Sequence, residues 1–161
     1  MAREDVMVKE MPALRVAECS ATVAGYGTGN IGPIFDRLVP RVLESLGRCG
    51  ARPGICIGFY GPPAADGSVR VHVAFEVGDQ EVLGGDGVEV AVLPAGEVAS
   101  LVHRGGPEGL AAEFGRLYGW IGTSGRHPVG PGRELYLEWH PEDHSRSVTE
   151  LQVPLAGGTG D

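Results

Sequence analysis

The chain has 161 residues, 42% of them hydrophobic and 21% charged, which is the composition of a globular domain long enough to bury a core. Its formal net charge of −8 argues against direct binding to nucleic acid, because neutralising phosphates requires a basic face. No apolar run approaches the roughly 20 residues of a membrane helix, and the acidic N-terminus lacks the apolar segment of a signal peptide. We therefore expect a cytoplasmic protein that binds neither membranes nor nucleic acid directly.

The cysteines and histidines predict no metal site. Three cysteines, Cys19, Cys49 and Cys56, form an odd set without metal-type spacing, which fits thiols in a reducing compartment. His140 and His144 are four residues apart, but they fall in a predicted loop without a third ligand. The glycine-rich stretches lack the phosphate-binding motifs of nucleotide sites. We expect neither a metal nor another cofactor.

The first half begins after a flexible N-terminus, residues 1–11, in which Val6 and Val8 could still extend an edge strand. Residues 16–27 are rich in β-branched and small side chains and predict a strand. Asn30-Ile31-Gly32-Pro33 is typical of a helix start, and Pro40 either kinks that helix or marks its true beginning. The apolar stripe of the helix is formed by Ile34, Leu38, Val42 and Leu46. Two alternating segments, 55–60 and 69–77, then predict a β-hairpin.

The second half repeats this order after an acidic, glycine-rich connector, residues 79–87. Residues 88–104 predict one long strand, bent near Pro94. Gly105-Gly106-Pro107-Glu108 opens a helix, and its apolar stripe is formed by Leu110, Phe114, Leu117 and Ile121. A second hairpin, Arg133–Trp139 and Val148–Val153, closes the domain, and residues 156–161 are expected to be disordered.

The predicted fold is therefore α+β, a tandem βαββ repeat with half one at 12–78 and half two at 88–155. Aligning the halves places TVAGYGTGNIGP on EVASLVHRGGPE, and His72 on Glu150. Two such pseudo-symmetric halves predict an antiparallel sheet with helices on one side and a central ligand cleft on the other.

The closing hairpin provides the functional clue. Alternation assigns Glu134 and Tyr136 to one face of the first strand and Glu150 to the polar face of the second. If the apolar rows face the helices, the three polar side chains lie together on the opposite side. Leu135, Leu137 and Trp139 are then expected to pack against the helices. Carboxylates gathered with an aromatic ring favour a flat, cationic ligand.

Several stretches carry a family likeness: "LPAGEVASLVHRGGPEGL", "RELYL" and "TELQVPL", in this order and with a helix between them. With the first half, about residues 12–155, the chain resembles the GyrI-like small-molecule-binding domain, which also forms the effector-binding part of some AraC-type and MerR-type regulators. The resemblance implies a cleft for lipophilic, aromatic, often cationic compounds. Glu134 matches the buried glutamate of the family, Tyr136 the neighbouring aromatic residue and Glu150 a second acid.

Each candidate residue also has an ordinary structural interpretation. Glu134 and Glu150 could be solvated strand carboxylates, and the aromatic and histidine candidates could be core or surface side chains. The remaining ligand-binding candidates are Tyr60, His72, His103, Trp120 and Tyr118.

Three functions follow. The first is a multidrug-type binding module. The second, implied by stand-alone relatives that act as hydrolases, is hydrolysis of cyclopropane-containing, DNA-alkylating compounds by Glu150 or Glu134 as base and Tyr136 as proton donor. The third is a protein-interaction role, with DNA gyrase or a weakly bound second copy of the chain as partner. With about ten residues ahead of the first strand, we expect no helix-turn-helix domain and no direct binding to an operator.

Overall fold

The computed structural model describes residues 6–25 and 28–157, and these form an α+β fold of eight strands and two long helices. The helices are α1 (Thr28–Arg48) and α2 (Leu110–Thr123), the latter preceded by a short 3₁₀ turn, Pro107–Gly109. The strands are β1 (Met7–Met11), β2 (Leu14–Val23), β3 (Cys56–Tyr60), β4 (Val69–Glu76), β5 (Glu89–Leu93), β6 (Gly96–Arg104), β7 (Arg133–Glu138) and β8 (Val148–Pro154). The α+β class is confirmed. The order strand–helix–strand–strand occurs twice, as β2-α1-β3-β4 and β6-α2-β7-β8, and β1 and β5 are additional strands.

The chain divides into two compact units. The N-terminal unit is residues 13–94, and the C-terminal unit combines the residues up to Pro12 with those from Ala95 onward. Strand order is β3-β4-β2-β5 in the first and β1-β6-β8-β7 in the second, and these neighbours pair antiparallel.

The N-terminal unit is built on the apolar stripe of α1. Leu38, Val42 and Leu46 are fully buried because their spacing places them on one helical face. They pack on the side of the sheet that carries Cys19 and Val73. Pro33 and Pro40 both lie inside the helix, which continues through them, so Pro40 does not mark its beginning. Packing of the apolar face offsets the hydrogen bonds that proline removes.

The C-terminal unit repeats this design with α2. Leu117 and Ile121 are buried against Leu101, Leu151 and Val153 of the central strands β6 and β8. One face of this sheet is therefore covered by α2, and we call it the helix face. The opposite face carries Ser100 and Gln152, which the ladder pairs directly, and both are buried.

The expectation of a flexible segment over residues 1–11 is corrected for Met7–Met11, which form β1 and pair with β6. Val6 packs against the core of the C-terminal unit. Alternation over this short polar segment was too weak a signal, because its stability comes from pairing with a distant strand. Residues 1–5 of this segment, 26–27 of the first predicted strand and 158–161 of the tail lie outside the described residues.

The single long strand expected over residues 88–104 is also corrected. It is two strands: β5 pairs with β2 in the N-terminal unit, and β6 pairs with β1 and β8 in the C-terminal unit. The break falls at Pro94-Ala95. Proline donates no ladder hydrogen bond, and the following Gly96 has φ 153°, a conformation that favours glycine.

Strand registers support the internal repeat. Phe59 lies opposite His72 in the N-terminal unit, and Leu135 lies opposite Glu150 in the C-terminal unit. His72 and Glu150 therefore occupy equivalent ladder positions. The same registers make Cys19 equivalent to Leu101, so the alignment of TVAGYGTGNIGP on EVASLVHRGGPE is displaced along the strand.

Within the described ranges, neither α1 nor α2 is long and apolar enough to cross a membrane.

Candidate functional site

The register between β7 and β8 decides which side chains can act together. Glu134 lies opposite Leu151, and Tyr136 lies opposite Thr149. Because directly opposed residues in an antiparallel pair share a face, Glu134 and Tyr136 lie on the helix face. Leu135 lies opposite Glu150, which places Glu150 on the other side of the sheet. The expectation that all three gather on the face away from the helix is therefore wrong.

Glu134 and Tyr136 form one hydrogen-bonded pair on the helix face. Residues two apart on a strand project to the same side, and the Tyr136 hydroxyl donates to Oε1 of Glu134. The Glu134 side chain is buried, with 4% of the residue exposed, whereas Tyr136 is half-buried. A carboxylate removed from water needs hydrogen bonds or a cation to offset lost hydration, and the phenol supplies one such bond.

Beyond Tyr136 the strand alternation breaks. The pairing skips from Tyr136–Thr149 to Glu138–Val148, so the strand bulges at Leu137. Leu137 is 45% exposed and Trp139 is 46% exposed, which corrects the expectation that both pack against the helices. The extra residue in the bulge displaces the period-two pattern on which that expectation depended.

Because of the bulge, Trp139 stands beside the Glu134–Tyr136 pair. Its ring meets Tyr136 edge-on, with centroids 5.4 Å apart, and lies 4.8 Å from the ring of His144. Half-exposed aromatic rings next to a buried carboxylate form the ring-and-charge combination that binds organic cations.

Glu150 is held in a separate cluster on the opposite face. Three donors converge on its Oε2 atom: Lys9 Nζ at 2.6 Å, Ser100 Oγ at 2.7 Å and Gln152 Nε2 at 2.8 Å. Only 7% of Glu150 is exposed. Burial acts to raise the pKa of Glu150, but the bonds from Lys9, Gln152 and Ser100 act against it and hold the pKa below its ordinary value.

Arg133 borders the same cluster. It is 4% exposed, and its Nε donates to Gln152 Oε1 at 2.8 Å. Its Nη2 is buried and makes no hydrogen bond within the described part of the chain. Burial lowers the pKa of Arg133, and the nearby charge of Glu150 acts in the opposite direction.

Tyr60 and His72 lie in the N-terminal unit, on opposite faces. Tyr60 is opposite Val71 and packs, half-buried, against the core that α1 covers, so it too lies on a helix-covered face rather than on the face away from it. The ladder makes it the equivalent of Tyr136, with Gly58 standing at the position of Glu134. His72 binds Glu18 Oε1 through Nδ1 at 2.6 Å and stacks on Phe59 with centroids 4.5 Å apart.

His103 connects the end of β6 to the start of α2. Its Nε2 lies 2.8 Å from the Gly106 carbonyl oxygen and its Nδ1 lies 3.4 Å from Glu113 Oε2. The residue is 8% exposed, and its ring lies so close to Gly109 that an added Cβ there would stand 2.7 Å from Cε1. This geometry assigns His103 a structural contact at the helix N-terminus.

The two aromatic residues of α2 differ. Trp120 packs against the core of the C-terminal unit. Tyr118 is 41% exposed, and its ring centroid lies 6.3 Å from that of Phe114. The two loop histidines bind local partners: His140 lies 3.4 Å from both Glu138 and Glu142, and His144 lies 3.3 Å from Ser147 Oγ. Across residues 6–25 and 28–157, no group of three or more His, Cys, Asp or Glu side chains could hold a metal ion.

Sequence reasoning placed Gln152 on the same face as Glu150, two residues along β8, but it missed the other two partners of Glu150 and the contact of Trp139 with Tyr136. Lys9 and Ser100 come from β1 and β6, far from β8 in the chain, and no local pattern joins them to Glu150. Arg133 adjoins Glu134 in sequence, yet the strand pleat puts it on the other face. For the position of Trp139 the one available signal was its spacing from His144 across a turn, which is compatible with a contact between the two rings.

The fold and this arrangement define a small-molecule-binding domain built from a duplicated βαββ unit. The chain belongs to the family of the GyrI-like small molecule binding domain, whose profile matches residues 4–156. No curated protein matches the sequence.

Solved structures share this fold at low identity. The EcmrR C-terminal domain is 19% identical, with a TM-score of 0.81 over 96% of this chain and 99% of that one. SAV2435 bound to tetraphenylphosphonium is 15% identical, with a TM-score of 0.64 over 95% and 94% of the two chains. A hydrolase from Listeria innocua is 10% identical, with a TM-score of 0.65 over 97% and 94%. The chain spans 58% of EcmrR as seen in its DNA complex, at 20% identity and a TM-score of 0.79.

Proposed function

We propose that the protein binds lipophilic, aromatic, cationic small molecules at the helix face of its C-terminal unit, with Glu134 as the counter-charge. The observation that carries this proposal is the Glu134–Tyr136 pair, a carboxylate 4% exposed and bonded to a half-buried phenol. An arriving cation interacts favourably with a carboxylate that has lost much of its hydration, whereas a neutral isostere of the same size does not. The Glu134–Tyr136 pair therefore selects a ligand for its positive charge as well as for its shape.

Tyr136 and Trp139 complete the proposed site. Their rings meet at 69°, so a ligand can lie against one ring face and the edge of the other. Stacking needs no exact donor geometry, and such a wall accepts many flat or globular cations. The tetraphenylphosphonium bound by SAV2435, a bulky aromatic cation, belongs to this ligand class.

Fluorescence titration with a rhodamine dye tests the proposal. Replacing Glu134 by Gln removes the charge while keeping the shape, and we expect about a tenfold loss of affinity, or roughly 1.4 kcal/mol. Glu138→Gln is the matched control, since its side chain lies on the same strand but is 61% exposed, and it should bind as the wild type does. Equal affinities for all three proteins would refute a charge role for Glu134.

A second candidate function is hydrolysis of a strained cyclopropane ring conjugated to a carbonyl. The observation that favours it is the direct hydrogen bond between Tyr136 and Glu134. Water would lose a proton to Glu134 as its oxygen bonds to a ring carbon. The breaking carbon–carbon bond would deliver its electron pair to the conjugated carbonyl, whose oxygen takes a proton from Tyr136. Glu134 would then return its proton to Tyr136 along the bond that joins them.

Turnover distinguishes the two candidates. Incubation with a cyclopropane-containing alkylating compound, followed by mass spectrometry, should show a product heavier by one water if the protein is a hydrolase. Tyr136→Phe should then abolish the product while still binding the dye, with an affinity reduced by no more than about tenfold. If the wild type binds the compound and no hydrated product forms, binding alone is the function.

Partners other than small molecules stay predictions. The charge of −8 is compatible with a basic protein partner such as gyrase, and a second copy of the chain is the other candidate. Co-purification with gyrase that a bound dye abolishes would support the first.

A further inference from the structure

Glu150 is the centre of a cluster that already holds one ammonium group, that of Lys9. All three of its hydrogen bonds fall on Oε2, and within the described residues none reaches Oε1. One oxygen is thus saturated while the other still has acceptor capacity. The donors from Ser100 and Gln152 fix the carboxylate from the sheet, and the ammonium of Lys9 supplies the third bond and the opposite charge.

Lys9 is less firmly enclosed than the site it occupies. Its side chain is 40% exposed, against 10% for the side chain of Glu150. It extends from β1, which stands at the end of the strand order of its unit and pairs there with β6. A long, flexible and half-solvated side chain can leave by rotating about its own bonds, while Ser100 and Gln152 stay in place on the central strands.

We propose that Lys9 is the internal occupant of an ammonium-binding site formed by Glu150, Ser100 and Gln152, and that small molecules carrying a primary ammonium on an alkyl chain bind there by displacing it. This rests on the proposed small-molecule-binding function but uses the opposite face of the sheet from Glu134. Oε1 of Glu150 accepts the incoming ammonium before Lys9 leaves, so the carboxylate is never without a cation.

The chemistry of this site differs from that of Glu134. A primary ammonium is a compact donor of three hydrogen bonds, and it matches a carboxylate that is already oriented by neighbouring donors. A quaternary or phosphonium cation cannot donate and gains only the charge. Arg133 beside the cluster further disfavours a bulky cation that brings no hydrogen bond. We therefore expect primary amines to bind at Glu150, and delocalised aromatic cations at Glu134.

The sequence provides a direct reporter, because Lys9 is the only lysine in the chain. Protein labelled with ¹³C,¹⁵N-lysine gives a single set of side-chain NMR signals. Titration with n-hexylammonium should move the Lys9 ε-carbon signal saturably toward its position in Glu150→Gln, where the ion pair is absent. n-Hexanol and tetrabutylammonium should leave it in place. A Lys9 signal that stays fixed at saturating hexylammonium overturns the displacement.

Chemical rescue tests the site itself. Lys9→Ala removes the four atoms from Cγ to Nζ, and n-propylammonium contains these same four heavy atoms. We expect the variant to lose several degrees in Tm, about 3–6 °C, and n-propylammonium to recover about half of that loss at tens of millimolar by mass action. n-Propanol, which lacks the ammonium group, should not restore the Tm of Lys9→Ala. Recovery that is equal in Lys9→Ala/Glu150→Gln would overturn the site.

If Lys9→Ala does not fold, Lys9→Met keeps an unbranched chain without the charge. A tethered lysine competes at an effective concentration of millimolar order, so Lys9→Met should bind n-hexylammonium at least about tenfold more tightly than the wild type. Unchanged affinity overturns the proposal. Loss of dye binding in Glu134→Gln tests the helix-face site independently. The result for dye binding at Glu134 and the result for hexylammonium binding at Glu150 do not depend on each other.

Discussion

At the scale of single residues, the two glutamates differ in what neutralises or orients them. Glu134 is bonded by a phenol that is itself half-buried, and Glu150 by an ammonium and two neutral donors. Because they lie on opposite faces of one sheet, a small ligand cannot bridge them. Either can be altered without touching the first contacts of the other, which makes their roles separable by experiment.

The pH dependence of stability should report the Glu150 cluster. The pKa of the Glu150 carboxyl group lies below the ordinary value of 4.5 in the folded protein. The contribution of Glu150 to stability is therefore present above pH 4.5 and is lost as the pH falls through the pKa of the folded state. We expect the wild type to be more stable than Glu150→Gln at pH 6, by about 1–2 kcal/mol because Lys9 is partly exposed.

Thermal unfolding of the wild type and of Glu150→Gln between pH 6 and pH 3 measures this difference in stability. The Tm difference should narrow steadily below pH 4.5, and Glu138→Gln should show no comparable narrowing. A difference that stays constant down to pH 3 would show that Glu150 contributes through packing alone.

At the scale of elements, α2 is fixed at its N-terminus by His103 and is otherwise held by its apolar face. The imidazole bonds the Gly106 carbonyl and faces Glu113, which joins the end of β6 to the first turns of the helix. This contact requires a residue without a side chain at Gly109, whose φ of −91° any amino acid could adopt. The requirement there is space for the ring and not backbone conformation.

Two alanine substitutions in this region should therefore act in opposite directions. Gly109→Ala places a Cβ 2.7 Å from His103 Cε1 and should cost about 1–3 kcal/mol. Gly115→Ala, inside α2 with nothing within 4 Å of its Cβ, should stabilise by about 0.5–1 kcal/mol. Urea denaturation of both variants provides the free energies of unfolding. Equal effects would mean that His103 shifts freely and does not fix the helix.

At the scale of the whole molecule, the sequence encodes one scaffold twice with different side chains at equivalent positions. Tyr60 and Tyr136 are equivalents on the helix-covered faces, but Gly58 stands where the other unit has Glu134. On the opposite faces, His72 with Glu18 corresponds to Glu150 with Ser100. Duplication has preserved the apolar cores, and the acidic residue beside the tyrosine occurs in one unit.

This asymmetry predicts different effects for two identical substitutions. Tyr136→Phe removes the hydroxyl that orients Glu134 and should weaken binding of a cationic dye by about three- to tenfold, since a bond to a charged group is worth roughly 1 kcal/mol or more. Tyr60→Phe changes a phenol with no acid two residues before it and should have less than half that effect in free energy. The measurement is dye affinity by fluorescence, with thermal unfolding as the check on folding. A larger effect at Tyr60 would contradict the assignment.

Local patterns in the sequence determined the elements and the family. The 3.6-residue stripes of α1 and α2, the alternation of β3, β4 and β8, and the prolines and glycines between them are encoded within a few residues of each other, as are the RELYL and TELQ motifs. These signals were sufficient for the α+β class and the tandem order, and they led to the prediction that Glu134 and Tyr136 are site residues.

Tertiary structure alone decided which side chains meet. The relation of Glu134 to Glu150 depends on the register of β7 against β8, and a shift of one residue would have exchanged the faces. The position of Trp139 depends on a bulge, and the neutralisation of Glu150 depends on Lys9, brought from the far end of the chain by pairing of β1 with β6. These contacts arise from hydrogen bonds between distant strands, which a period in the sequence does not encode.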